Sequence, residues 1–583
     1  MSRTGMYRTL RGRAAARHLR GLAAAGTGAC LLTAGLAAWA PGVAQGRATL
    51  SFTVNTTADA HDAHPGDGKC ADAAGQCTLR AALEEADASP PGAAVSIGVP
   101  SGAYDLTLGS LTLGSATVPL NITVAGAGSS DTVVTAKGRF RVMSVTGYQT
   151  TGRLVNLQFT GGKAGPNSYG GGIFSQGRLT LAGVALTGNS AGAGGGVANA
   201  GGTLTVGGSA ISENNGGEFG GGGIQNGGPQ NLPGTVVVDS SVIFSNVTSN
   251  EGGGIFSGQN GHPAARGRAA IAPHPLCVPR RCAPPRPASG AGLVLHVTDS
   301  TVTGNRGSNG GGGIAAEGTA TLTGSKVTDN TAGAAIGGGV FNVGTVTGST
   351  ISGNTADSGG GVEDYPGLFM TITDSTLDAN HAQADGGALD INQQITVNQS
   401  TLSNNKAGGK VFEGMGAAAE IDGGGSLIVA DSTIAGSTTQ PAGRGAIDNF
   451  GGSLTLSFAT LSGSQGLLTG GGFATATGTI LAGTGTTPNC PGALSETAGY
   501  NLSTDSSCGL SLKTDLTGVN PMLKPLANNG GPTLTQALPR SSPAVNAGGL
   551  PASSSCPATD QRGESRPWGP ACDIGAFELH YRR

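Results

Sequence analysis

Residues 325–364, SKVTDNTAGAAIGGGVFNVGTVTGSTISGNTADSGGGVED, say one phrase twice. Val327 stands three residues before Asn330, a glycine cluster follows, and Val340 comes after it. Ile351, Asn354, a second cluster and Val362 repeat the order. The pattern extends outward in both directions. Leu186, Ile211, Ile243, Val302, Leu377 and Leu402 stand three before Asn189, Asn214, Asn246, Asn305, Asn380 and Asn405. After the glycine clusters come Ile173, Val197, Ile224, Ile255, Ile314 and Leu389. Successive Asn residues are mostly 24 to 26 apart.

A fixed period of this length is the mark of a solenoid, propeller or array. The apolar positions lie in short runs such as Leu179-Thr-Leu and Leu204-Thr-Val, which alternate with Thr and favour strands. Glycine and Asn between them supply the positive-φ corners that a coiling chain needs. No repeat carries helical periodicity. Each unit therefore reads as one turn of a parallel β-helix, with aliphatic ladders inside and Asn side chains hydrogen-bonded from turn to turn. The expected fold is all-β, a right-handed single-stranded parallel β-helix of about fourteen turns between residues 93 and 487.

Only 11% of the 583 residues are charged, and glycine contributes 107. Ser, Thr and Asn must then supply the soluble surface. Arg3, Arg8, Arg11, Arg13, Arg17 and Arg20 precede an Ala/Leu/Gly stretch, and Gly42-Val-Ala44 offers a small-residue cleavage site, so residues 1–44 read as an export signal. Removing six positive charges from a net −3 leaves the mature chain near −9. That balance excludes a nucleic-acid partner. No later run is long and apolar enough to span a membrane, and a monomer is expected.

Export agrees with the cysteines. Beyond Cys30 there are eight, in sequence-local pairs: Cys70/Cys77, Cys277/Cys282, Cys490/Cys508 and Cys556/Cys572. Disulfides suit an oxidising compartment better than metal sites do, since no His stands at ligand spacing beside them. In residues 45–92, Phe52-Thr-Val reads as a strand, and Asp59, Asp62, Asp67 and Asp72 lie in an acidic loop. That loop is either a calcium candidate or a solvated segment. Thr78 is the expected N-cap of a helix whose apolar face is Leu79, Ala82, Leu83 and Ala86, and Pro90 and Pro91 end it. Such a helix would cover the open first turn of the coil.

The stretch Phe52–Asp87, ending CTLRAALEEAD, resembles the CSLREA domain of exported bacterial proteins, with Thr78 and Ala81 in place of Ser and Glu. Near the other end, NPMLKPLANNGGPT from Asn520, SPAVNAG from Ser542, DQRG from Asp560 and CDIGAFE from Cys572 resemble the choice-of-anchor Q domain. The repeats between are similar to those of pectate-lyase-like and polymorphic outer-membrane proteins. The resemblance implies an exported, surface-associated β-helix protein and carries over no catalytic residue.

Two segments interrupt the array. Residues 258–292 hold five Arg, two His, many Pro and no acid, and read as a loop insertion, either a basic finger for a polyanion or a tolerated excursion. Residues 488–583 abandon the repeat. There Asp560, Arg562, Arg566, Asp573 and Glu578 read as an ion-paired, disulfide-bearing cap that closes the far end.

Candidate chemistry lies on the coil. One residue past the glycine-cluster aliphatics stand Phe174, Ala198, Gln225, Phe256, Ala315 and Phe341, then Glu363, Asp390, Asp422 and Asp448. Pleating turns these neighbours outward, so the four acids form an expected file. Like charges so close would bind calcium, act as acid and base, or form a solvated stripe. No cofactor is expected unless it is calcium. His381 lies near Asp378 and Asp385 and reads as a corner residue. Two function classes remain. One is a non-enzymatic adhesin or envelope module binding a polysaccharide or cell-surface partner; the other is a polysaccharide lyase or hydrolase. Aromatics at 4% weigh against the second.

Overall fold

The computed structural model describes residues 49–581, apart from 229, 231, 260–291, 334–335, 366, 410–412, 442–443, 492–493 and 551–555. All of these belong to one unit, residues 47–583. The expected export signal and most of the basic insertion lie outside the described residues.

The unit is a parallel β-helix. Sheet 1 stacks 16 strands from Thr49–Thr53 to Glu496–Thr497, and sheet 2 stacks 16 from Gly102–Asp105 to Leu516–Thr517. Sheet 3 has 13, from Leu111–Leu113 to Leu468–Gly470. A fourth sheet of 6 two-residue strands runs from Arg306–Gly307 to Thr438–Thr439. One turn passes through Thr319–Thr323, Lys326–Thr328, Thr331–Ala332 and Val340–Phe341, then climbs one rung to Thr345–Thr347 in sheet 1. At about 4.8 Å per rung, sheet 1 extends about 70 Å.

Alternation decides which side chains enter the coil. In Thr319–Thr323, Ala320 and Leu322 are buried while the threonines face out. Leu322 sits in register between Val297 and Val346. The same rule stacks Leu186, Ile211, Ile243, Val302, Val327, Ile351, Leu377 and Leu402 in sheet 2 as one ladder. Each buried Leu, Ile or Val side chain is worth about 1.5–3 kcal/mol relative to exposure.

Two polar ladders hold the corners. Asn305 Nδ2 donates to Asn330 Oδ1 at 3.0 Å and to the Ile243 carbonyl one rung back at 2.9 Å. The Asn305 backbone N–H also donates to Asn330 Oδ1, at 2.9 Å. This arrangement repeats from Asn189 to Asn405, and all eight side chains are buried. The expected turn-to-turn bonding is therefore present. A second ladder, not foreseen from the sequence, uses Ser209, Ser241, Ser300, Ser325, Ser349, Ser375, Ser400 and Ser432. Each backbone N–H donates to the next Ser Oγ at 3.0–3.1 Å. The preceding residue turns the corner with positive φ, 46° at Asp299 and 58° at Gly324. The left-handed conformation there suits Gly, Asn and Asp.

The first turn is closed as expected. Helix Leu79–Asp87 is N-capped by Thr78, whose Oγ1 accepts from the Ala81 N–H at 3.0 Å, and it buries Leu79, Ala82, Leu83 and Ala86.

Three of the four expected cysteine pairs are disulfides: Cys70 with Cys77, Cys490 with Cys508 and Cys556 with Cys572. The fourth expected pair, Cys277 and Cys282, lies in the basic insertion, outside the described residues.

The far end differs from expectation. Short strands to Leu516–Thr517 extend the coil, but the chain beyond Asn520 doubles back along the outside of sheet 2. Thr401 Oγ1 donates to the Leu534 carbonyl at 2.6 Å, Ser462 Oγ to Gln536 Oε1 at 2.5 Å, and Thr433 Oγ1 to Gln561 Oε1 at 2.6 Å. Gln561 Nε2 donates to the Ser400 carbonyl, Thr401 Oγ1 and Thr533 Oγ1. The segment is a strap along the flank, with a small core of its own around Leu538, Ile574 and Phe577 against Ile480 and Leu502. Four of the five charged residues expected there do pair: Arg562 meets Asp560 at 2.7 Å, and Arg566 meets Glu578 at 3.5 Å and Asp431 of the coil at 3.6 Å, whereas Asp573 accepts from the Asn546 and Leu579 amides.

Candidate functional site

Sheet 3 carries the acidic file, with one member changed. Glu363 is in register with Asp390, Asp390 with Glu420, and Glu420 with Asp448. Asp422 is not in the file. The sequence pattern puts Ile421 on the aliphatic ladder, but the loop before this strand is long and Ala419 takes the rung against Leu389 and Ile447. Ile421 is the next inward residue, and Asp422 enters the following turn, donating its N–H to the Ile391 carbonyl at 3.0 Å. Ala419 gives a weaker apolar signal than Ile421, which causes the two-residue slip.

The file is also not a solvated stripe. Glu363, Asp390, Glu420 and Asp448 are only 2–4% exposed. The rungs just before it on the same face are buried as well. Phe256, Ala315 and Phe341 point outward from sheet 3 and form a second apolar cluster with Ile336 and Tyr365. Phe341 packs edge-on against Tyr365 at 6.1 Å. Outward direction and solvent exposure part company on this sheet.

Burial sets the electrostatics of the file. Desolvation pushes the Glu420 carboxyl well above its ordinary value, and the charges of Asp385, Asp390, Asp422 and Asp448 push the same way. Asp448 is raised by burial, opposed by Arg444 and the Thr469 hydroxyl. Close by, Asp364 is raised by burial to about 6 although it accepts from the Asn392 N–H at 2.6 Å. Glu420 and Asp364 were missed as candidates; only the correct register would have exposed Glu420.

The remaining candidates have structural partners. Asp59 meets Arg80 at 2.7 Å and accepts from the Thr107 and Leu108 amides, tying the acidic loop to the capping helix. Burial raises its pKa, but Arg80 and those amides more than cancel that and leave it lowered. Asp62 accepts from His64 and Ala71 amides, Asp67 from Lys69, and Asp72 from Ala74 and Gln76. Each folds its own loop, so the four do not converge. Asp378 accepts from Ser403 and Asn404, while a His381 ring nitrogen lies 3.2 Å from the Gly408 carbonyl. Among the described residues no three His, Cys, Asp or Glu side chains are grouped to hold a metal ion.

Sheet 1 presents the opposite surface. One column of its outward positions carries Thr180, Thr205, Thr321, Thr345, Thr371, Thr396, Thr455 and Thr475, interrupted by Val237 and His296 between Thr205 and Thr321 and by Ile428 between Thr396 and Thr455. The strap runs along sheet 2 and leaves these threonines exposed or half-exposed.

The family described as "Right handed beta helix region" matches residues 289–460. No curated protein matches the chain. Among solved structures, a crystal structure of pectate lyase Pel9A aligns over 91% of this chain and 97% of its own at 13% identity, with a TM-score of 0.24. The match over residues 289–460 lies within the regular array, where four parallel sheets wind about one aliphatic core. The chain is a right-handed parallel β-helix protein.

Proposed function

We propose that this is an exported, non-enzymatic adhesin or envelope module that lays an extended glycan or other surface polymer along sheet 1. One contrast carries the reading: the carboxylates suited to chemistry are buried in sheet 3, whereas sheet 1 offers a ladder of hydroxyls at about 4.8 Å spacing, unbroken over four rungs from Thr321 to Thr396. A polymer running along that face meets a threonine hydroxyl on most rungs, with Val237, His296 and Ile428 between the runs. Export is supported by the arginine-rich leader and the three disulfides. The resemblance of residues 45–92 to CSLREA domains and of residues 488–583 to choice-of-anchor Q domains fits a surface location.

The second reading is a polysaccharide lyase or hydrolase. It is favoured by the raised Glu420 among four neighbouring acids, because perturbed carboxyls cluster at catalytic sites. Purified residues 45–583 screened on a polysaccharide panel for both retention and product release separate the two. The proposal expects retention with the polymer intact; new chain ends would sink it.

A further inference from the structure

We infer that sheet 1 contains a pocket for one carboxylate-bearing sugar unit, between Tyr148 and Arg178. The inference rests on the glycan-binding reading above and names the unit that the surface grips.

The pocket has a volume of about 240 Å³ and lies where the chain passes from sheet 3 to sheet 1. Arg178, Thr203 and Thr235 each head a sheet 1 strand and stand in register on successive rungs. They form a column of one guanidinium and two hydroxyls on the outward side. Opposite them Tyr148 is 49% exposed, and its hydroxyl donates to Gln230 Oε1 at 3.3 Å, which holds the ring beside the excursion ending at Pro233. Gly202 and Gly234 line the pocket with bare peptide groups.

The chemistry selects an acidic sugar. A guanidinium presents paired N–H donors that match a carboxylate fork. Among the described residues the arginine ion pairs are those of Arg80, Arg444, Arg562 and Arg566, so Arg178 faces the pocket without a carboxylate of its own. Arg153, exposed one rung back in register with Thr180, adds positive charge. The only described acids at outward positions of sheet 1 strands are Asp239 and Glu496. The Tyr148 ring offers an apolar face for the C–H side of a pyranose, and Thr203 and Thr235 offer partners for its hydroxyls. A bare phosphate would leave the ring unused, and a neutral sugar would leave the guanidinium unused.

The test uses residues 45–583, with methyl glucuronide and methyl glucoside as probes in ligand-observed NMR. Tyr148→Ala and Arg178→Gln remove the two recognition elements, both exposed, and a melting curve checks that each variant is folded. The glucuronide should bind and the glucoside should not. Each variant should weaken glucuronide binding at least tenfold, while Arg178→Lys should retain part of it. Equal binding of both probes, or glucuronide binding unchanged in Arg178→Gln, overturns the pocket. If polymers from the panel still bind in that case, the wider reading survives; if neither probe nor any polymer binds, both fall.

Discussion

Asn330 Oδ1 accepts two hydrogen bonds from Asn305, from the backbone N–H at 2.9 Å and from Nδ2 at 3.0 Å. Asn330 Nδ2 in turn donates to the Val302 carbonyl at 3.0 Å. One side chain thus satisfies three buried polar groups on the rung below. Asn330→Leu would strand those partners and add bulk at a corner, at a cost of about 1–3 kcal/mol per orphaned group. Because solenoids melt through neighbouring repeats, the loss should appear as early unfolding of the middle rungs in hydrogen exchange. Asn405 holds the same three bonds, to Asn380 and the Leu377 carbonyl, so Asn405→Leu should cost a similar amount.

Stability should fall as pH rises from about 4 to 8. Burial raises Asp87 and Asp431 to about 7 and Asp364 and Asp573 to about 6, and it raises Glu420 as well. The sign follows from linkage. Above pH 4 the unfolded chain has released these protons while the folded chain keeps them, so raising the pH through the folded values favours unfolding. Asp59 and Asp505, whose values are lowered, act oppositely, and only in more acid solution. The melting temperature should be higher at pH 5 than at pH 8, and Glu420→Gln should narrow the gap. A melting temperature that climbs across this range would contradict the burial argument.

The C-terminal strap should come loose when its anchor is cut. The Gln561 side chain hydrogen-bonds with five groups, on Ser400, Thr401, Thr433, Thr533 and Leu534. Gln561→Ala should cost about 2–4 kcal/mol of local stability. Limited proteolysis should then cut residues 520–550 while the coil stays intact. A strap as protected as in the parent would mean that Leu538, Ile574 and Phe577 hold it alone.

Calcium should leave the melting temperature unchanged. The file residues are buried on one side of sheet 3, and the loop aspartates each serve their own amides. A rise on adding millimolar calcium, lost in Asp390→Asn with Glu420→Gln, would make the file a cation site.

The fold was legible because the code is periodic. The Asn ladder and the aliphatics three residues before it fix one corner and one sheet without knowledge of any loop. Three things were not legible. Ala419 is a ladder residue that looks like filler, so the file was misread by two positions. The Ser corners were hidden because Ser is common everywhere in this chain. The return of the strap depends on contacts across 100 residues or more, such as Gln561 with Thr433, which no local pattern encodes.

The central claim is that sheet 1 binds and sheet 3 does not react. One measurement tests it directly: a polymer retained by residues 45–583 is titrated against the parent, Thr371→Val with Thr396→Val on sheet 1, and Glu420→Gln on sheet 3, while new chain ends are assayed in the same tubes. The account predicts that the sheet 1 variant loses binding at least tenfold, that Glu420→Gln binds like the parent, and that no chain ends appear. Polymer cleavage that disappears in Glu420→Gln would contradict it.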